Sequence, residues 1–229
     1  MIIGGFQKSS LLDYPDKISA IIFTQGCNFR CSYCHNKELI IQKPVNTSIN
    51  PEEILSFLEK RRNKLDAVVI TGGEPTLQPD LIEFMQKIKK SGFLIKLDTN
   101  GSNPDVLGEA IRRKLADYIA MDIKAPLEKY QVITNCKVDI EKIKESVDLI
   151  KNSDVKYEFR TTVLRSQLSE EDILQIKDLA NNARLWILQK YIPPVNLSHN
   201  LKNELNYTQD EFEKLRKNIK NSVLECLIR

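Results

Sequence analysis

Six short apolar runs, each followed by a stretch of helical periodicity, set the terms on which this chain can fold. The runs are Ile18–Thr24, Ala67–Thr71, Phe93–Asp98, Tyr118–Asp122, Tyr157–Val163 and Leu185–Ile192. They are rich in β-branched and apolar residues, as strands covered on both faces require. Between them, Leu81, Phe84, Met85 and Ile88 repeat at the spacing of one helix face. Ile140, Ile143, Val147 and Ile150 do the same, as do Ile173, Ile176 and Leu179, and later Phe212, Leu215 and Ile219. Helix starts are marked by Asn50-Pro51, by Ser169 with Asp172 three residues on, and by Thr208 with Glu211. Strands separated by helices run parallel with right-handed crossovers. Six units, with an extra segment Val223–Ile228, are fewer than the eight that close a barrel. An open partial barrel and a doubly wound sheet both satisfy the pattern.

No internal repeat or flexible linker divides the 229 residues, so one domain spanning 1–229 is expected. At 41% hydrophobic and 28% charged residues the chain can build a packed core rather than stay disordered. A net charge of +3 is too small to suggest a nucleic-acid surface. No apolar run reaches membrane-spanning length and no secretory signal is visible at the start. Three of five cysteines lie within eight residues, which favours metal binding in a reducing cytoplasm over a disulfide scaffold.

Parallel α/β folds gather function at the carboxyl ends of their strands. There the chain places Gln25-Gly26-Cys27, Thr71-Gly72-Gly73-Glu74-Pro75, Asp98-Thr99-Asn100-Gly101, Asp122-Ile123-Lys124, Arg160 and Gln189. Cys27, Cys31 and Cys34 have the spacing C-x3-C-x2-C, which lets one loop wrap three thiolates around an inorganic centre. Three readings compete. A structural zinc site wants four ligands, and His35 abuts Cys34 too closely to complete it. An electron-transfer cluster also wants four cysteines, while Cys136 and Cys226 sit in unrelated segments. A four-iron cluster on three cysteines leaves one iron open, which is the mark of chemistry.

The cysteine loop, with Tyr33 before its last cysteine, together with Gly72-Gly73-Glu74 after the second strand, resembles the radical S-adenosylmethionine superfamily. The resemblance covers about the first 125 residues by motif. Within it, Gly26 to Asn36, Asp98-Thr99-Asn100-Gly101 and Asp122-Ile123-Lys124 are similar to the activating enzymes of glycyl radical enzymes. The opening Gly4 to Pro15 resembles the branch that activates anaerobic ribonucleoside-triphosphate reductase. In that branch glycine often follows the Tyr-Pro pair, where this chain has Asp16.

The resemblance implies an open partial (β/α)6 barrel carrying one 4Fe–4S cluster on Cys27, Cys31 and Cys34. It implies S-adenosylmethionine as co-substrate, cleaved reductively to a 5′-deoxyadenosyl radical. The protein substrate would be the anaerobic ribonucleotide reductase, with flavodoxin or ferredoxin as electron donor. Tyr33 would lie beside the adenine, Gly72 and Gly73 would admit the methionine part, and Glu74 would accept from its ammonium. Lys124 would meet the carboxylate or ribose. Asp98, Thr99, the Ala120 carbonyl and Asp122 would hold a monovalent cation. Arg160 and Gln189 would line the far wall.

Other readings stand beside these. The triad can be a zinc or iron–sulfur binding module without catalysis. The substrate can be another glycyl radical enzyme or a small molecule such as a deazapurine precursor. Gly72-Gly73 alone is a tight turn, Asp98 and Asp122 alone are caps, and Lys124 alone is a surface lysine. His35 is expected to be structural, His199 exposed, and Cys136 and Cys226 packing or surface thiols. Trp186 reads as core, and the lysines of Lys60–Lys64 and Lys87–Lys90 as solvated helix faces.

Overall fold

The computed structural model describes residues 1–41, 49–193 and 206–229. His199 lies outside the described residues. In chain order the elements begin with β1 (Ile3–Ser10), β2 (Ser19–Thr24), α1 (Pro51–Lys60), β3 (Ala67–Gly72) and α2 (Leu81–Lys90). They continue with β4 (Leu94–Thr99), α3 (Pro104–Arg112), β5 (Tyr118–Asp122), α4 (Tyr130–Thr134) and α5 (Ile140–Lys151). The last are β6 (Lys156–Val163), α6 (Glu170–Leu179), β7 (Trp186–Lys190), α7 (Gln209–Ile219) and β8 (Cys226–Ile228). The strands form one sheet in sequence order, β1 to β8. Strands β2 to β8 are parallel and β1 is antiparallel to β2. The six expected strands are therefore β2 to β7, and the expected C-terminal segment supplies β8.

The unexpected element is β1. Its sequence is polar and holds two glycines, so it carries no apolar run to detect. An edge strand needs none: β1 pairs on one side only, half of it is exposed, and only Ile3 is buried in the main core, with Phe6 packed partly against it. The loop that returns from it contains Asp16 with φ 58°. A left-handed residue there explains why glycine suits this position, and aspartate is among the side chains that tolerate it.

The sheet has two unlike faces, because side chains alternate along each strand. One face carries Ile22, Val68, Ile70, Ile95, Leu97, Ile119, Met121 and Phe159, all buried against the helices. Helix residues Leu58, Met85, Ile88, Leu107, Val147, Ile176, Phe212 and Leu215 complete that core. The other face has a small apolar floor of Tyr14, Ile21, Ala67, Val69 and Tyr118. Above this floor the same face turns charged, with Lys96, Asp98, Asp122, Glu158 and Arg160. The helices thus cover one face and leave the concave one for chemistry.

The capping signals read from the sequence are present as bonds. Asn50 accepts from the Glu52 N–H, and Ser169 and Thr208 each form a full capping box, with Asp172 and Glu211. Trp186 is fully buried and donates from Nε1 to the Thr161 hydroxyl at 3.0 Å. Lys60, Lys64, Lys87 and Lys90 are exposed, whereas Lys89 is half-buried and pairs with Asp117 at 2.8 Å. No helix among the described residues is long and apolar enough to cross a membrane.

Ser169→Ala removes the hydroxyl that both accepts from the Asp172 N–H and donates to its carboxylate. The loss should be about 1 kcal/mol, measured by urea unfolding at neutral pH.

Candidate active site

Between the cysteine loop and the carboxyl ends of the strands lies a cavity of about 370 Å³. Cys27, Cys31, Tyr33, Cys34, Gly72, Gly73, Glu74, Asp98, Asp122 and Lys124 all line it, as do Arg160 and Gln189. Residues from five strands and one loop, spread over most of the chain, converge on a single space.

The cysteine loop is held by backbone bonds. The Gly26 N–H donates to the Leu39 carbonyl at 2.7 Å and the Cys27 N–H to that of Ile40 at 3.2 Å. The Arg30 N–H reaches the Thr134 carbonyl at 2.8 Å, and the Arg30 guanidinium folds back onto the Cys27 and Phe29 carbonyls. Phe29 is buried and meets the Tyr130 ring edge-on. The loop is therefore held in shape by contacts within the protein.

Its three thiols are free. The Phe29 N–H points at Cys27 Sγ from 3.4 Å, a contact that favours thiolate. Burial nonetheless pushes the Cys27 thiol up to about 11 and raises Cys31. Metal binding must therefore displace protons. Among the described residues no three His, Cys, Asp or Glu side chains are drawn around one ion-sized point. Three cysteine thiols carried on one loop and lining one cavity fit an iron–sulfur cluster in the kind of donor.

The turn after β3 locks onto this loop. The Gly73 N–H donates to the Thr24 carbonyl and the Glu74 N–H to the Gly26 carbonyl, both at 2.8 Å. A Cβ on Gly73 would lie 2.0 Å from the Gly26 oxygen, and one on Gly72 2.3 Å from the Thr24 nitrogen. Gly72 also has φ 117°, which side chains rarely adopt. Both glycines are thus required by close backbone approach.

Glu74 is buried and busy. Its Oε1 accepts from the Thr76 N–H, the Thr76 hydroxyl and the Thr99 hydroxyl, at 3.1, 2.6 and 2.7 Å. Its Oε2 accepts from the Asn100 N–H at 2.7 Å and keeps acceptor capacity for one more donor. Burial raises its pKa, opposed by these bonds. The carboxylate therefore ties β3 to β4 as well as facing the cavity.

The charged residues pair across the ladder. Asp122 stands opposite Arg160 on neighbouring strands. Arg160 donates from Nε to Asp122 Oδ1 at 2.8 Å and from Nη1 to Asp98 Oδ2 at 3.1 Å. Lys124 donates from Nζ to Asp122 Oδ2 at 2.8 Å. Burial works against the Asp122 charge, but Arg160 and Lys124 outweigh it and hold the carboxyl at about 2. Lys96 is buried, donates to the Asp13 carbonyl at 2.7 Å, and lies 3.4 Å from Asp98 Oδ1. Removing one partner of such a pair commonly costs about 3–5 kcal/mol.

Several residues here were not singled out from the sequence. Asp13 reaches the cavity from the β1–β2 loop. Asn100 donates to Asn28 Oδ1 at 2.9 Å and lies 3.9 Å from Cys27 Sγ, linking the third expected strand to the cysteine loop. Lys96 and Glu158 did leave a signal, as charges at alternate positions within Phe93–Asp98 and Tyr157–Val163. His35 stacks on Tyr191 with centroids 5.4 Å apart, and its Nε2 lies 3.0 Å from the Ile192 carbonyl. It fastens the loop to the end of β7, in line with its structural reading. Cys136 lies beside Thr134, and Cys226 is buried in β8. Neither lines the cavity.

With three free thiols and a glycine-bordered carboxylate in one cavity, comparison with known proteins becomes decisive. The Radical SAM superfamily model matches residues 21–180. This chain belongs to the radical SAM superfamily. It is an enzyme, and the family implies a 4Fe–4S cluster and S-adenosylmethionine. A Methanocaldococcus jannaschii protein, provisionally named a glycyl-radical enzyme activating enzyme, is 36% identical over all of this chain and 95% of its own length. The pyruvate formate-lyase-activating enzyme of Clostridium pasteurianum is 28% identical over 89% of this chain and 86% of its own. Among solved structures, TYW1 with a lysine-pyruvate adduct bound matches at TM-score 0.66 and 22% identity, over 90% of this chain and 74% of that one. Streptococcus suis SuiB bound to S-adenosylmethionine matches at 0.64 and 12% identity, over 91% of this chain and 49% of its own. These structures share the fold of this radical SAM chain.

Gly73→Ala should reduce S-adenosylmethionine affinity more than about tenfold in cluster-loaded protein, by equilibrium dialysis. Gly108→Ala, whose new carbon meets only Leu149 at ordinary contact distance, should keep affinity and stabilise α3 by about 1 kcal/mol. A second expectation concerns acid. The folded Asp122 carboxyl sits below its ordinary value of 3.8, at about 2, so its stabilisation is present above the unfolded value and vanishes as pH falls through the folded one. Asp122→Asn should therefore flatten the loss of stability between about pH 4 and pH 2, followed by denaturant midpoints.

Proposed function

We propose that this radical SAM enzyme is an activase that installs a glycyl radical on a partner enzyme, the anaerobic ribonucleoside-triphosphate reductase. The observation that carries the reading is the convergence of three free thiols, the Gly72-Gly73-Glu74 turn and Lys124 on one cavity. The full-length likeness to proteins named as glycyl-radical enzyme activating enzymes supports the class of substrate.

Cys27, Cys31 and Cys34 would hold the cluster as thiolates. The bound cluster and nucleotide supply a one-electron C–S cleavage whose product abstracts hydrogen from carbon. The chain's part is to bind, orient and seal. The free lone pair of Glu74 Oε2 would accept from the ammonium of the methionine part. Gly72 and Gly73 let this turn seat against the Thr24 and Gly26 backbone, which holds Glu74 at the cavity. Lys124 would donate to the carboxylate or ribose from its anchor on Asp122. Tyr33, buried and with a hydroxyl that lacks a partner, would lie beside the adenine. We take the whole chain, 1–229, as one domain working in the cytoplasm, with flavodoxin or ferredoxin delivering the electron.

The test is anaerobic reconstitution followed by dithionite and S-adenosylmethionine. 5′-Deoxyadenosine should form, and Cys34→Ala should lower it at least about 1000-fold, a loss of about 4 kcal/mol in rate terms. Adding the anaerobic reductase should give the doublet of a glycyl radical by electron spin resonance. A filled cluster that yields no 5′-deoxyadenosine returns the chain to a binding module. Cleavage without a radical on the reductase points instead to another radical enzyme or a small molecule.

A further inference from the structure

We propose that the Arg160 guanidinium is the resident positive charge between Asp98 and Asp122, so that this chain orders its ligand's carboxylate without a monovalent cation. The inference rests on the reading that S-adenosylmethionine binds in this cavity.

Most of the side-chain oxygens that resemblance assigns to a cation are already engaged by protein. Asp122 Oδ1 accepts from Arg160 and Oδ2 from Lys124, each at 2.8 Å. Asp98 Oδ2 accepts from Arg160 at 3.1 Å. The Thr99 hydroxyl donates to Glu74 Oε1 at 2.7 Å and accepts from the Gly101 N–H at 3.1 Å. Of these side-chain oxygens only Asp98 Oδ1 lacks a hydrogen-bond donor among the described residues, and the Lys96 ammonium stands 3.4 Å from it. A hard cation needs several oxygens turned toward one point. The set does not fit one.

Charge points the same way. Asp98, Asp122 and Glu158 face Lys96, Lys124 and Arg160, all within 4.0 Å contacts. Glu158 also meets Arg229 at 3.5 Å, so three acids already face four bases, and a further cation would add to the surplus positive charge of a mostly buried cluster. The register explains how one side chain serves two acids. Arg160 faces Asp122 across the β5–β6 ladder, and Asp98 pairs with Ala120 one strand beyond. A planar fork of N–H donors spans that distance, keeps its charge at every working pH, and retains donors for an incoming carboxylate. Arg160 is thus a positioning residue.

The experiment compares wild type with Arg160→Gln, both cluster-loaded, in potassium chloride and in choline chloride at equal concentration. Choline is too large to sit among these oxygens. The S-adenosylmethionine dissociation constant and the melting midpoint are read in each salt. Wild type should show the same midpoint and a dissociation constant within about twofold. Arg160→Gln should bind weakly in choline and regain at least about fivefold in potassium, a salt dependence that a merely structural arginine would not create. Wild-type affinity falling about tenfold or more in choline overturns the proposal. If Arg160→Gln does not fold, the wild-type comparison still decides. If wild type binds no S-adenosylmethionine in either salt, the functional reading fails, and the midpoints decide alone: equal values support Arg160, and a higher midpoint in potassium overturns it.

Discussion

Two backbone hydrogen bonds without room for a side chain between them hold the active end of this molecule together. The turn after β3 donates from Gly73 to the Thr24 carbonyl and from Glu74 to the Gly26 carbonyl. The cysteine loop therefore hangs on the neighbouring strand's end as well as on its own side chains. Everything placed at that end inherits the geometry. Glu74 can reach Thr99 and Asn100 only because its turn is pinned against Gly26. Asn100 in turn reaches back to Asn28, closing a circuit of β2, β3 and β4 around the thiols.

The same economy governs the sheet. A parallel strand buried on both faces is ordinarily apolar throughout. Here one face obeys and packs under the helices, while the other departs from the rule at Lys96, Asp98, Asp122, Glu158 and Arg160. Such residues are tolerable out of water only when paired. The pairing is supplied by register, since parallel ladders bring Asp122 beside Arg160 without any loop to adjust. Ionic order in the cavity is thus a property of strand alignment.

Most of this was legible beforehand, for identifiable reasons. The six central strands announce themselves because burial on both faces demands apolar runs, and helix starts because Asn50, Ser169 and Thr208 carry their own caps. Most of the residues expected at the mouth line one cavity, because strand ends in a parallel sheet share a direction, while Gln25, Gly26, Pro75, Gly101 and Ile123 do not. Strand β1 was silent, since an exposed edge needs no hydrophobic pattern. The pairing of Arg160 with two acids was silent too, since it depends on which strands are neighbours. Asp13 had no signal, because its arrival at the cavity depends on how an irregular loop returns.

The raised thiols of the cysteine loop carry a last consequence. Thiolate, not thiol, attacks disulfides, peroxides and other electrophiles. A loop that keeps Cys27 and Cys31 protonated through burial is chemically quiet before it is loaded. Desolvation thus guards these two sulfurs against oxidation for as long as they keep their protons. A metal centre bound there would end that protection, because its ligands must be thiolates.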